Sequence, residues 1–248
     1  MIEEKGGRAM AIYHIAELDI EITPRYDRTA EYLADYRIDS DAESDFAVTV
    51  TDEMLAYERD HAEQPSPEWA VEAIAILRVI CDRVLERYDG FFLHCSCLMI
   101  DGMAVVFTAP SGTGKSTHAR MWRERFKDRV TMINDDKPLV RRMGGDFIIY
   151  GTPWNGKHGL SNNISAPIRA VYFLQQGDEN RCERVDAVTA LTLLLRQTVI
   201  PADKRDLSAL LDMLSELIER TPMFKLVCDI SPMAADTAYQ ALIGAIEE

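Results

Sequence analysis

The sequence predicts an α/β fold, with a mixed sheet and flanking helices around a nucleotide-binding phosphate loop and a strand-rich N-terminal extension. Three observations carry this. The stretch Phe107 to Arg120, "FTAPSGTGKSTHAR", separates the apolar run "MAVVF" from the helix-patterned "MWRERF". Apolar strand-like runs recur after it in "RVTMIND", "FIIYGTPW" and "AVYFLQQ". Helical periodicity then returns, with Leu207, Leu210, Leu211, Leu214, Leu217 and Ile218 on one stripe.

Taken in order, Leu18, Ile20 and Ile22 alternate with acids, and Phe46, Val48 and Val50 with small or polar residues. Both stretches read as half-buried strands, separated by a polar segment from Tyr26 to Ser44. "DHAEQPSP" is a loop, and Ser66-Pro67-Glu68 opens a helix, Ser as cap and Pro at its first position. Ile74, Leu77, Cys81 and Val84 form that helix's apolar face, and Gly90 stops it. The extension therefore covers residues 1–90 and the nucleotide-binding domain residues 91–248. The domain opens strand, Asp101-Gly102 turn, strand, phosphate loop, helix. Its later part reads as helices over Ala187 to Ile200 and Asp203 to Thr221, a short strand "FKLVCDI" and a final helix.

Composition excludes several function classes. With 27 basic and 41 acidic residues the net charge is −14, which argues against a nucleic-acid partner whose phosphates must be neutralised. The opening "MIEEKGGR" lacks the apolar core of a signal peptide, and no apolar run is long enough to cross a membrane. Five scattered cysteines suggest reduced thiols and a cytoplasmic protein. Cys95 and Cys97 flank one serine, but no second cluster completes a tetrahedral metal site, so burial in a strand is expected.

The loop has a physical rationale. A helix N-terminus presents unpaired N–H groups and the positive end of the dipole. Gly112 and Gly114 let the chain curl so that the N–H groups of Ser111 to Thr117, Thr113 among them, converge on a phosphate. Lys115, expected to face solvent until ATP binds, then reaches the terminal phosphates, and Ser116 offers its hydroxyl to Mg²⁺. The full pattern asks for glycine at position 109, where this chain has Ala109; the alternative is a Gly/Ser loop that only caps a helix.

Asn134-Asp135-Asp136 follows the strand "VTMI", at the C-terminal strand end where open α/β sheets bind ligands. One acid suffices for Mg²⁺, and the other is then available to take a proton from an attacking hydroxyl. Adjacent strand residues point to opposite faces, so an irregular strand end must aim both at one site; the alternative is a solvated acidic turn. His94 lies inside the apolar "FFLHCSCLMI", where a packed core histidine is the ordinary expectation. "GTPWNGKHG", Gly151 to Gly159, reads as an exposed loop flanking the phosphate site, with Lys157 contacting nucleotide or acceptor; an ordinary turn with Trp154 packed inward is the alternative.

"LHCSCLMIDGMAVVFTAPSGTGKST…INDD" resembles the catalytic core of HPr kinase/phosphorylase and of ATP-dependent phosphoenolpyruvate carboxykinase. "YGTPWNGK" and "APIRAVYFLQQGDENR" look like the small HPr-kinase-like proteins beside ribosomal-peptide modification genes. The resemblance, from about Phe91 to the C-terminus, implies an ATP- and Mg²⁺-dependent kinase acting on a hydroxyl, such as a Ser, of a peptide, protein or small molecule. It implies catalytic roles for His94, Lys115 and Asp135, and metal-binding roles for Ser116 and Asp136. A homo-oligomer is compatible with it. The Glu-containing segment of HPr kinases has no counterpart in "FIIYGTPW", so phosphorolysis is not implied. A non-catalytic ATP-binding partner of a peptide-maturation system and a carboxykinase-class enzyme are the alternatives.

Overall fold

In the computed structural model, residues 10–40, 43–62, 64–201 and 204–247 are described, with the side chains of residues 204 and 205 excepted. The signal-peptide reading of the first residues, and Asp203 as a helix start, lie outside them. The chain divides into two compact units, Met1–Val84 and Leu85–Glu248.

In the first unit, β1 (Ala11–Ile15) and β2 (Leu18–Ile22) form an antiparallel hairpin. Its turn is Ala16-Glu17, both at positive φ although neither is glycine. The segment expected to be merely polar holds α1 (Asp27–Leu33) and β3 (Arg37–Ile38). β4 (Phe46–Val48) completes a four-stranded sheet of order β3-β1-β2-β4. α2 (Asp52–Asp60) follows, capped by the Thr51 hydroxyl, and then α3 (Glu68–Arg87), within which the unit boundary falls. Ala70 and Val71 donate to the Pro67 carbonyl, so the proline precedes the first helical residue. Fully buried Glu72 on α3 accepts hydrogen bonds from the backbone N–H groups of Arg25 and Tyr26.

The second unit is a three-layer sandwich. β5 (Gly90–Phe92), β6 (Cys95–Ile100) and β7 (Met103–Thr108) lead to α4 (Lys115–Phe126). β6 and β7 are joined by the expected Asp101-Gly102 turn, both residues at positive φ. β8 (Val130–Asn134), β9 (Leu139–Met143), β10 (Asp146–Tyr150) and β11 (Ser165–Gln176) follow, then β12 (Arg181–Arg184), α5 (Ala187–Leu195), α6 (Lys204–Arg220), β13 (Met223–Cys228) and α7 (Pro232–Glu247). The sheet runs β5-β9-β10-β11-β7-β6-β8, with β13 also pairing β11 and β12. β11 is parallel to β7 and β13 and antiparallel to β10, so the sheet is mixed.

Strand alternation sorts the core into two clusters. Ala104, Val106 and Val171 face one cluster with Leu194, Leu210, Leu214 and Leu217 of α5 and α6. Val105, Phe107 and Tyr172 face the other, with Ala119 and Trp122 of α4 and Ala235, Ala238 and Leu242 of α7.

The helix expected over Ala187 to Ile200 ends instead at Leu195. The next residues are taken by strand-like pairing: His94 N–H donates to the Gln197 carbonyl at 2.6 Å, and Val199 N–H to that of Phe92 at 3.1 Å. Among the described residues no helix is long and apolar enough to cross a membrane.

Candidate functional site

The site is assembled at the C-terminal ends of β7 and β8. Beyond Thr108 the chain turns through Ala109 to Gly114 into α4, with Gly112 at φ +80° and Gly114 at φ +108°. Both values favour glycine, because a Cβ at positive φ is strained. Thr113 N–H donates to the Pro110 carbonyl at 3.3 Å, and the Gln176 side-chain amide to the Thr113 carbonyl at 3.3 Å. Lys115 does not face solvent as expected. It is 8% exposed and donates from Nζ to the Ala109 carbonyl at 2.8 Å and the Pro110 carbonyl at 3.5 Å. A buried ammonium seeks acceptors, and the loop carbonyls are the ones within reach. Burial lowers its pKa, against the pull of Asp135 and Asp136.

The acidic pair meets the condition posed by strand alternation. β8 ends at Asn134, and its pairing with β6 slips register between Cys97 and Leu98. The Asn134 side chain pins the irregularity, its Nδ2 donating to the Thr152 carbonyl at 2.9 Å and its Oδ1 accepting from Asp136 N–H at 2.8 Å. Asp135 is buried, and Ser96 Oγ, fully buried on β6, donates to its Oδ1 at 2.6 Å. Asp136 accepts from Lys137 Nζ at 2.9 Å, with His94 Nε2 at 3.5 Å from its other oxygen.

His94 is not inside a continuous strand. It lies between β5 and β6, at the break where pairing passes from β9 to β7 and β8, and its side chain is about a third exposed. Burial and then the Lys115 charge lower its pKa, opposed by Asp136. Cys95 and Cys97 are fully buried free thiols, as expected of strand residues.

One cavity of about 440 Å³ collects these groups. Ser111, Gly112, Gly114, Lys115, Ser116 and Thr117 line it from the loop, His94, Asp135 and Asp136 from the strand ends, and Lys157 from beyond β10. Thr113 lies outside it, in a neighbouring cavity. The stretch Gly151 to Gly159 is only partly the exposed loop expected. Residues 151–154 are buried, and Trp154 sits edge-on to Phe92 at 5.7 Å; the exposed part is residues 156–159. Gly151 explains the burial: a Cβ there would lie 1.9 Å from the Asn162 carbonyl oxygen, so the chain passes through a gap only glycine fits. Sequence reasoning missed Ser96 and Asn134 as supports; their signal was their place beside the histidine and the acids.

Among the described residues no group of three or more His, Cys, Asp or Glu could hold a metal unaided. The oxygen donors present, Ser116 and the carboxylates, suit a hard cation that takes its remaining ligands from phosphate and water.

The family model described as "SynChlorMet cassette protein ScmC" matches residues 62–233. A search of curated proteins found no match. Among solved structures, the Hpr(Ser) kinase/phosphatase from Coxiella burnetii is similar at 14% identity, covering 63% of this chain and 99% of that one. The TM-score is 0.36, and a likeness that loose carries no argument.

Proposed function

The chain belongs to the SynChlorMet cassette protein ScmC family, and we propose that it is an ATP- and Mg²⁺-dependent kinase that phosphorylates a hydroxyl of a peptide, protein or small molecule. The reading rests on one observation: a glycine-bearing loop at a helix N-terminus and a pair of strand-end carboxylates line the same cavity. A cradle alone suits any anion, whereas a buried carboxylate beside it adds a proton acceptor.

In this proposal the loop N–H groups and Lys115 hold the phosphates, Lys115 exchanging the Ala109 and Pro110 carbonyls for phosphate oxygens. Magnesium, held by Ser116 and Asp136, supplies charge neutralisation. Ser96 ties one oxygen of Asp135, leaving the other to accept the acceptor's proton as its oxygen attacks the γ-phosphorus and the bond to ADP breaks. His94 borders the transfer site and orients Asp136. Five free cysteines suit a reducing, cytoplasmic setting.

The test is purified protein with Mg²⁺ and γ-labelled ATP against a panel of Ser-bearing peptides and small hydroxyl compounds. Label transfer that vanishes in Lys115→Ala supports the reading. ATP binding without transfer to any acceptor would mark a non-catalytic partner protein, and turnover of oxaloacetate a carboxykinase-class enzyme.

A further inference from the structure

A second cavity, of about 730 Å³, meets the first at the loop and shares Gly112, Gly114 and Thr117 with it. The two linings differ in chemistry. In the first, Lys115 and Lys157 stand beside Asp135 and Asp136; among the described residues no Lys or Arg stands beside the carboxylates of the second, Asp178 and Asp229, and its apolar side chains include Met121, Leu174 and Ile230.

Two details of the second cavity are unusual. His118, which lines it, is 1% exposed, and Trp122 Nε1–H donates to its Nε2 at 3.0 Å. The neutral ring therefore carries its proton on Nδ1, whose partner among the described residues is a weak acceptor, the Cys228 sulfur, at 4.0 Å. Burial keeps that ring neutral, its pKa pushed down to about 3. Ile230, in contrast, is 84% exposed although the chain beside it is pinned. Asp229 Oδ1 accepts from Ser231 N–H at 2.8 Å, from Ser231 Oγ at 2.6 Å and from Asn180 Nδ2 at 3.0 Å. An aliphatic side chain held in water at a cavity mouth exposes apolar surface that a ligand could cover.

We propose that this second cavity receives the nucleoside of a purine nucleotide whose phosphates occupy the loop, with Met121, Leu174 and Ile230 against the base and His118 Nδ1–H donating to a ring nitrogen. The inference rests on the phosphate-loop reading and adds the direction in which the nucleotide lies. A ligand anionic at one end and flat and apolar at the other matches two cavities that differ in the same way. Asp178 and Asp229 repel phosphate with no lysine beside them, whereas Lys115 and Lys157 offset the carboxylates of the first cavity, so the phosphates favour the loop side. The volume is in the range of pockets that bury small ligands. A purine supplies ring-nitrogen acceptors stronger than the thiol that His118 Nδ1–H meets.

The test is calorimetric titration of the full chain, in Mg²⁺, with a non-hydrolysable ATP analogue and with inorganic tripolyphosphate, beside N-ethylmaleimide labelling mapped to Cys228. The analogue should bind at least about tenfold tighter than tripolyphosphate and should alone shield Cys228 from the reagent. Ile230→Asn, an uncharged change at an exposed position that does not threaten folding, should weaken the analogue several-fold and leave tripolyphosphate unchanged. If tripolyphosphate binds as tightly as the analogue and Cys228 reacts equally with either, the nucleoside site is wrong and the phosphate loop stands. Should neither ligand bind the wild-type protein, the phosphate-loop reading falls and this inference with it.

Discussion

Lys115, Asp135 and Ser96 each make a contact whose loss is measurable. Lys115→Ala removes the ammonium from two loop carbonyls. It should cost about 1 kcal/mol of stability while lowering phosphoryl transfer by about a thousandfold or more; urea unfolding and turnover separate the two effects. Asp135→Asn keeps the shape and the acceptor for Ser96 but cannot take a proton, so transfer should vanish with ATP affinity within a few-fold of wild type. Equal loss of affinity and turnover would make Asp135 a metal ligand instead. Ser96→Ala leaves Asp135 Oδ1 buried without its hydroxyl donor. It should lower kcat about tenfold, with the KM for ATP little changed; a rise in KM alone would show that Ser96 does not position the carboxylate.

Among the elements, α4 joins the two cavities, since Lys115, Ser116 and Thr117 open it and His118 and Met121 lie one turn on. Its buried His118 ties stability to pH. The folded pKa of about 3 lies below the ordinary value of 6.5, so the unfolded chain binds the proton more tightly. The contribution is complete above pH 6.5 and is lost progressively as pH falls toward 3. By pH 5 about 2 kcal/mol of it is lost, a loss that His118→Gln should not show when urea midpoints at pH 7 and pH 5 are compared. Elements with a local pattern were legible in the sequence: the loop and α4 from their glycines and hydroxyls, the Asp101-Gly102 turn, and α6 from its leucine stripe. Others were fixed by distant partners. α5 stops early because residues 197–199 pair with Phe92 and His94, and nothing near Gln197 encodes that. β9 and β12 carry arginines that read as surface, and α1 and α2 are too polar to show a stripe. At the site, Gly151 to Trp154 looked like loop because glycine and proline punctuate it, yet close backbone approach buries it.

For the whole molecule, a ligand that binds only the folded state raises stability by mass action, about 2.7 kcal/mol at a hundred times its Kd. In a chain of this size that moves the transition of the second unit upward by roughly 5–10 °C. Differential scanning calorimetry with and without Mg·ATP should show this shift, and Lys115→Ala should abolish most of it; an unmoved wild-type transition at saturating ATP would count against the site. The order of pairing along β11 bears on how the chain is made. β11 takes β10 along Ser165–Pro167, β7 along Ile168–Phe173 and β13 along Val171–Gln176. Two of those partners are synthesised before it, but β13 begins only at Met223. During translation, at roughly 5–20 residues per second, Val171 to Gln176 therefore wait seconds with unpaired N–H and C=O groups for a strand not yet made. In that interval the nascent chain presents an unpaired strand edge, the kind of surface that chaperones shield, and a ribosome stalled before residue 223 would hold a sheet with an open seam beside the glycine-bearing loop.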